Sequence, residues 1–192
     1  MRITVFILLF ASLLTVDSRG EDLIPGHLSF DLPPYMNGGP PGRSDPGDDP
    51  FSPVREIRRY AVTRTNWDAG FNNMFVSLRD VGYSIGNGKV ITYRKLDDKA
   101  LRTCMQETTT KQGHGTNFTQ VANAKVGGLA ALVVAYDVPQ PPYGSRPATV
   151  ARIESYWVKV QANRVLEIKL WAQDPKTLAA LRSSLDRFKI TP

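Results

Sequence analysis

Three strand-like stretches follow one another in the second half of this chain. The first, residues 118–138, has Gly127-Gly128 in its middle and is largely apolar after it, which is typical of a strand buried on both faces. The other two, residues 149–160 and 165–171, are joined by a short turn. Because short turns connect strands that pair in opposite directions, this region predicts an antiparallel sheet.

The last of these strands alternates regularly between apolar and polar residues. Leu166, Ile168 and Leu170 fall on one face, whereas Glu167 and Lys169 fall on the other. A period of two is that of an extended strand with one apolar face. The pattern therefore predicts a half-buried strand whose glutamate and lysine face water.

A helix is predicted on each side of these strands. Residues 95–111 carry acidic groups near their start, where they favour the helix dipole, and apolar side chains then recur at helical spacing. Near the C-terminus, Asp174 is an N-cap candidate and Pro175 takes the first helical position. An apolar stripe follows, made of Leu178, Leu181, Leu185 and Phe188. The stripe predicts a helix lying across the sheet.

The N-terminus has the layout of a secretory signal peptide. Arg2 supplies a basic start, residues 3–16 are mostly apolar, and Ser18 and Gly20 offer small residues for cleavage. The apolar run is shorter than a membrane-spanning helix needs. We therefore expect a mature chain that starts near Glu21, is secreted or periplasmic, and has no transmembrane segment.

Residues 21–54 are rich in proline and glycine. Proline removes a backbone donor and glycine adds chain entropy, so regular structure is unfavourable there. The composition predicts a disordered, flexible spacer. The expected organisation is a signal peptide at residues 1–20, the spacer at 21–54, and one domain at 55–192.

Short strand candidates precede the first predicted helix, at residues 58–65 and 75–78. Residues 82–85 and 89–94 flank Gly86-Asn87-Gly88, a sequence typical of a hairpin turn. With helices segregated from strands, the sequence predicts an α+β fold. We expect an antiparallel β-sheet with two main helices packed on it.

A helix precedes the step Val126-Gly127-Gly128-Leu129-Ala130, an apolar strand then ends in Tyr136, and a hairpin and a helix starting at Asp174-Pro175 follow. In these features residues 95–190 resemble the Mog1/PsbP-like fold family. The resemblance implies a binding or accessory domain that acts through protein contacts, and it carries over no catalytic or metal-binding residues. Residues 55–94 depart from the family's opening strand pair.

Residue types that carry catalysis or bind metals are scarce. Cys104 is the single cysteine, so no intramolecular disulfide can form; a buried thiol is the simplest interpretation, and pairing with another chain is the alternative. The two histidines, His27 and His114, lack the spacing of zinc ligands. A Cys104–His114 nucleophile is disfavoured because the cysteine falls on an apolar helix face. We expect no catalytic residue, no metal and no cofactor.

The formal net charge is +6, with both signs mixed along the chain. Nucleic-acid binding is not expected, because it needs a dense basic stripe with interleaved aromatic residues. The basic clusters are either ordinary solvated faces or a surface for a partner such as an acidic protein. The aromatic residues of the hairpin are either core or rim packing or, where exposed, anchors for a protein partner. The candidate surface consists of Arg58, Arg59, Arg64, Tyr156, Trp157, Lys159, Arg164, Lys169 and Trp171. Asn117 starts an Asn-Phe-Thr sequon and is a glycosylation candidate in a eukaryotic source.

Two functions are open at this point. The first is a secreted, non-enzymatic binding or accessory domain acting through protein–protein contacts. The alternative is a small-ligand carrier or an enzyme with a site between the sheet and the helices. A deep apolar pocket with convergent polar groups favours the second, and a filled core with exposed aromatic residues and arginines favours the first.

Overall fold

The computed structural model describes residues 19–40, 54–62, 72–80, 85–86, 89–90, 99, 101–102, 105, 115–142, 147–161 and 164–191. Within these ranges the protein is a sandwich of two antiparallel β-sheets, with a separate two-stranded ribbon. Residues 1–18 lie outside the described residues, so the signal peptide stays a prediction.

The smaller sheet has three strands and the larger has seven. The order in the small sheet is β1 (Arg19–Ile24), β2 (Leu28–Leu32) and β12 (Phe188–Ile190). The order in the large sheet is β3 (Met36–Gly39), β4 (Val54–Val62), β5 (Asn73–Asp80), β11 (Arg164–Ala172), β10 (Thr149–Gln161), β9 (Leu129–Gln140) and β8 (Thr116–Val126). The ribbon pairs β6 (Ile85–Gly86) with β7 (Lys89–Val90).

Two of the three hairpins are as predicted, and the third was not predicted. Residues 118–138, expected as one strand, form two, because β8 pairs with β9 across Gly127-Gly128, and both glycines adopt positive φ angles, 54° and 81°. Strand β10 pairs with β11 from Arg152 to Gln161, and the ribbon of β6 and β7 forms where the hairpin turn is predicted. These signals are local, and the tertiary structure does not override them.

The predicted α+β fold with two main helices is wrong, because the described part of the chain is mostly β-strand. The one helix whose two ends are described is α1 (Pro175–Ser183), of nine residues. Its start is as predicted: Asp174 accepts a hydrogen bond from the Thr177 amide at 2.8 Å. Of the predicted helix at residues 95–111, Lys99, Leu101, Arg102 and Met105 are helical, and the other positions lie outside the described residues.

The predicted C-terminal helix stops early because Phe188 is needed in a sheet. A 3-10 turn, Leu185–Arg187, follows α1, and Phe188 then opens β12. The phenylalanine pairs with Phe30 of β2, and the two rings stack with centroids 4.5 Å apart. Phe188 therefore fits the spacing of the predicted apolar stripe by coincidence, since it is a strand residue and not a helical one.

The predicted disordered spacer at residues 21–54 is also wrong for its first half. Strands β1 and β2 build the small sheet, and β3 forms the edge of the large one. Among the described residues, the prolines that argued for disorder lie in the connections between strands. Pro25 lies in a turn, and the Pro33 carbonyl accepts a hydrogen bond from the Met36 amide at 3.0 Å. Residues 41–53 lie outside the described residues.

The two sheets enclose an apolar core, here called the inter-sheet core. Phe30 lies at its centre, with Tyr60 on one side at 4.8 Å between ring centroids and Phe188 on the other. Helix α1 adds Leu178 and Leu181. A second apolar cluster covers the opposite face of the large sheet and consists of Leu101, Met105, Val134, Tyr136, Ile153, Trp157 and Val165. The central strands of the large sheet are therefore buried on both faces.

Candidate functional site

Two aromatic residues of the predicted partner surface are core residues. Tyr156 and Trp157 are 5% and 2% exposed, so neither can present a surface to a partner. The Tyr156 hydroxyl donates to the buried carboxylate of Glu154 at 2.8 Å, and burial raises the pKa of the phenol. Glu154 in turn accepts from Arg182 of α1, which ties the helix to the sheet. Trp171 is half-buried, with its ring edge-on to Phe75 at 6.5 Å.

Several of the predicted basic surface residues are already paired with acidic groups of the same chain. Arg58 donates two hydrogen bonds to the Glu21 carboxylate, at 3.0 and 3.1 Å. Arg59 bonds to Glu56 and lies over the ring of Phe75 at 4.8 Å.

The other basic candidates are scattered. Lys169 lies 3.7 Å from a carboxylate oxygen of Glu167, Lys159 is exposed, and Arg164 is half-buried. Arg64 lies outside the described residues. The structure does not gather these residues into one basic patch among the residues it describes.

A buried ion pair lies next to the second apolar cluster, on the same face of the large sheet. The side chains of Arg79 and Glu167 are 1% and 5% exposed, and the guanidinium donates to Oε2 of Glu167 at 2.7 and 3.0 Å. Ser155 donates to the other carboxylate oxygen at 2.8 Å, and the Trp157 indole donates to the Ser155 hydroxyl at 2.9 Å. The prediction that Glu167 faces water is wrong. Its carboxylate is held by its neighbours, which is the arrangement of a structural network rather than of a reactive group.

The pKa of Glu167 makes stability depend on pH in the acid range. Burial raises this pKa, but the charges of Arg79 and Lys169 and the hydrogen bonds of the carboxylate outweigh it and lower the pKa to about 2. The ordinary value is 4.5, so the stabilisation is present above about pH 4.5 and is lost as the pH falls towards about 2.

We expect urea unfolding across about pH 2 to 6 to show this loss. Replacing Ser155 with alanine removes one hydrogen bond to the carboxylate and so raises its native-state pKa. The loss in Ser155→Ala should therefore be smaller and should be complete at a higher pH, with its midpoint shifted upwards. A pH profile with the same midpoint in both proteins would contradict this role of Glu167.

Strand β8 is the most exposed element of the large sheet. It lies at the edge with β9 as its one neighbour, and its first eight residues, from Thr116 to Asn123, are all exposed. Phe118 is 46% and Val121 39% exposed. The ring of Phe118 stacks on Tyr136 of β9 with centroids 5.5 Å apart, which holds the exposed ring in one orientation.

The start of β8 is clamped by charge-assisted hydrogen bonds. Arg152 of β10 reaches across β9 and donates to the Asn117 carbonyl at 3.2 Å, to the Thr119 hydroxyl at 2.6 Å and to Asp137 at 2.8 Å. The Asn117 amide donates to the same Asp137 carboxylate at 2.9 Å. This hydrogen bond and the charge of Arg152 lower the pKa of Asp137, although burial opposes them.

The end of β8 is anchored by the turn that follows it. The Gly127 amide donates to the Leu185 carbonyl at 3.0 Å, next to Phe188. An exposed strand held at both ends is pre-organised, so a partner that binds it orders little of it on binding.

Two bulges interrupt the pairing of β8 with β9. The register shifts between Thr116 and Thr119 and again between Val121 and Ala124. Each bulge contains an asparagine with positive φ, Asn117 at 53° and Asn123 at 56°, a conformation that asparagine adopts more readily than most residues. Bulges of this kind make an edge strand a poor template for another strand.

Phe118 and Val121 were not among the surface residues predicted from the sequence. The strand reads TNFTQVANAKV, in which apolar residues are isolated among small polar ones. A strand that is polar on both faces, and here carries no charge from Thr116 to Ala124, is the signal that marks an uncovered edge. Asn117 is exposed, in keeping with a glycan acceptor, and its glycosylation stays a prediction.

The described residues add no candidate for a catalytic or metal-binding site. Cys104 and His114 lie outside them. Over the described ranges, no group of three or more His, Cys, Asp or Glu side chains could hold a metal ion. None of the helical residues in those ranges belongs to a helix long and apolar enough to cross a membrane.

No protein-family model matches the chain, and no curated protein matches it. Among solved structures, it is similar to a crystal structure from Bacteroides thetaiotaomicron, with 10% sequence identity and a TM-score of 0.45. The match covers 86% of this chain and 45% of that chain, so this chain spans less than half the length of that protein. This similarity carries no argument about function, and the Mog1/PsbP-like resemblance stays a prediction.

Proposed function

We propose that this protein is a secreted, non-enzymatic binding module whose protein partner docks on the exposed side chains of β8. The observation that carries the proposal is the exposure of this strand. Of the three large apolar side chains that the described residues expose, Phe118 and Val121 lie on β8, and the third is Val150 of β10. Exposed aromatic residues on a rigid support are common anchors of protein interfaces.

The charge of β8 supports a particular kind of partner surface. No residue from Thr116 to Ala124 is charged, and the nearby Arg152 is paired with Asp137. A surface without net charge gains little electrostatic binding energy or association rate from an acidic partner. We therefore propose a partner with an apolar, uncharged contact surface instead of the acidic partner that the net charge of the chain suggests.

The bulges support contact through side chains instead of the addition of a strand. Strand addition requires a continuous row of free backbone groups along an edge. The regular stretch between the two bulges is Thr119–Val121, which is short for such a ladder. Phe118, stacked on Tyr136, and Val121, opposite Val133, expose apolar area on the two faces of the sheet edge. A partner that wraps this edge contacts both side chains without any change in β8.

The proposal is tested with a double variant, Phe118→Ser with Val121→Ser. We expect it to bind the partner at least about 30-fold more weakly than the unchanged protein, because central apolar anchors contribute about 2 kcal/mol or more. The partner is captured from the extracytoplasmic fraction of the native organism, identified by mass spectrometry, purified, and titrated by calorimetry.

Val150→Ser is the matched control, because it removes an exposed apolar side chain outside β8; its affinity should be unchanged. Equal binding by the double variant, or no saturable partner, contradicts the proposal. Self-association in sedimentation that the double variant abolishes would make the partner a second copy of this chain and overturn the proposed separate partner.

A further inference from the structure

A cavity of about 160 Å³ lies between the two sheets, at the end of the sandwich where the β1–β2 and β10–β11 connections meet. Strands of both sheets contribute to its wall. The apolar part of the wall consists of Ile24, Leu28, Leu78, Val160, Leu166 and Ile190. Protein interiors contain few voids larger than a water molecule, so a cavity of this size between two packed sheets is unusual.

The exposure of the lining falls from the mouth of the cavity to its floor. His27, Gln161 and Thr191 are exposed and form the mouth. Leu28 and Leu166 are 3% and 1% exposed and belong to the inter-sheet core, and the other apolar residues of the wall are half-buried. The cavity is therefore open to solvent at one end and apolar at the other, which is the form of a small-molecule site.

Two backbone hydrogen bonds hold the mouth in place. The His27 amide donates to the Ile24 carbonyl at 2.9 Å, and this closes the β1–β2 turn. The Thr191 amide donates to the His27 carbonyl at 2.8 Å, and this joins the end of β12 to the same turn. Because the mouth is fixed by the fold, a ligand that enters the cavity orders little of the chain.

The charged residue of the lining, Arg164, does not make the cavity a site for anions. It already interacts with another group of the chain. It also lies directly opposite Asp80 in the pairing of β11 with β5. A basic and an acidic residue at paired positions leave no excess of either charge at this end of the large sheet.

We propose that this cavity binds a small uncharged molecule with an apolar body of about six or seven carbon atoms. The size follows from the volume, because an apolar cavity of about 150 Å³ accommodates benzene. The lack of charge follows from the surroundings, since an ionised group would lose hydration against the apolar wall without gaining an unopposed counter-charge from Arg164 or Asp80. The site is independent of the proposed partner surface, because no residue of β8 is among the described residues that line the cavity.

The probes are toluene, benzoate and benzylamine, which share one ring and are neutral, anionic and cationic at pH 7. Binding to the full chain is followed by the amide resonances of the lining residues in two-dimensional NMR. We expect saturable shifts with toluene, and affinities at least about tenfold weaker for benzoate and benzylamine. Failure of toluene to saturate would overturn the site, and a charged probe that binds as tightly as toluene would overturn the proposed preference for uncharged molecules.

A variant that fills the cavity tests its location. Val160→Phe places a larger side chain in the wall and should abolish toluene binding. The matched control is Val150→Phe, the same substitution on the same strand at a position that is 56% exposed and outside the lining; its affinity for toluene should be unchanged. Retained binding in a folded Val160→Phe, as judged by its amide spectrum, would mean that toluene binds elsewhere.

A variant that enlarges the cavity keeps the test decisive if Val160→Phe does not fold. Ile24→Ala removes part of the wall near the mouth, so the cavity should then admit indole, an uncharged molecule with two fused rings. We expect indole to bind Ile24→Ala at least about tenfold more tightly than it binds the unchanged protein. Equal affinities of indole for the two proteins would contradict a site whose wall includes Ile24.

Discussion

Replacing Arg79 with methionine is expected to lower the free energy of unfolding by about 3–5 kcal/mol. The variant leaves the Glu167 carboxylate, with a side chain 5% exposed, without its main counter-charge. The guanidinium also lies over the Trp157 ring at 5.2 Å, and that contact is lost as well. Urea unfolding followed by circular dichroism measures the change.

The matched control is Arg152→Met, which breaks the ion pair with Asp137. The two side chains of that pair are 29% and 22% exposed, so water screens it and the loss should be about 1 kcal/mol. A double variant, Arg79→Met with Glu167→Met, should recover most of the stability, because removing both charges leaves none buried alone. A loss in Arg79→Met no larger than in Arg152→Met would contradict the structural role of the buried pair.

Replacing Gly127 with alanine is expected to cost about 3 kcal/mol or more. Its φ angle of 54° is strained for a residue with a side chain, and an added Cβ would overlap the backbone carbonyl oxygen of Phe188. To relieve this overlap, the β8–β9 turn would have to move away from β12. That movement would break the hydrogen bond from the Gly127 amide to the Leu185 carbonyl. Thermal unfolding measures the effect as a lowered Tm.

Gly128→Ala is the control for backbone strain alone. Its φ angle is 81°, and an added Cβ would meet nothing within 4 Å. We expect a loss of about 1–2 kcal/mol from the unfavourable φ angle. Equal losses in the two variants would mean that the close approach of Gly127 to Phe188 contributes nothing, and would contradict the packing of the turn against β12.

Turn residues, strand periodicity and helix-capping residues predicted the elements that depend on contacts between residues close in sequence. The β6–β7 and β10–β11 hairpins formed as expected, because turn residues and strand periodicity act over a few neighbouring residues. The start of α1 was also predicted, since the Asp174 side chain caps an amide three residues away. The Gly127-Gly128 turn was not predicted, since residues 118–138 were interpreted as one strand.

The candidate site could not be predicted in the same way. Tyr156 and Trp157 were candidates both for core packing and for an exposed partner surface, because nothing in a strand sequence says whether a second layer covers each face. Glu167 looked like a solvated residue of an alternating strand, and it is buried because Arg79, 88 positions earlier, supplies its counter-charge. The exposure of Phe118 and Val121 was missed because it follows from the position of β8 at the sheet edge.

By itself, the sequence determined the β6–β7 and β10–β11 hairpins and the start of α1, because each depends on contacts between near neighbours. Only the tertiary structure decided that Phe30 and Phe188 join one small sheet. Their pairing spans most of the chain, so burial of both rings in the inter-sheet core outweighs the helical spacing at Phe188 and the proline content around Phe30. The same packing determines which strand is left uncovered, and with it the surface proposed for a partner.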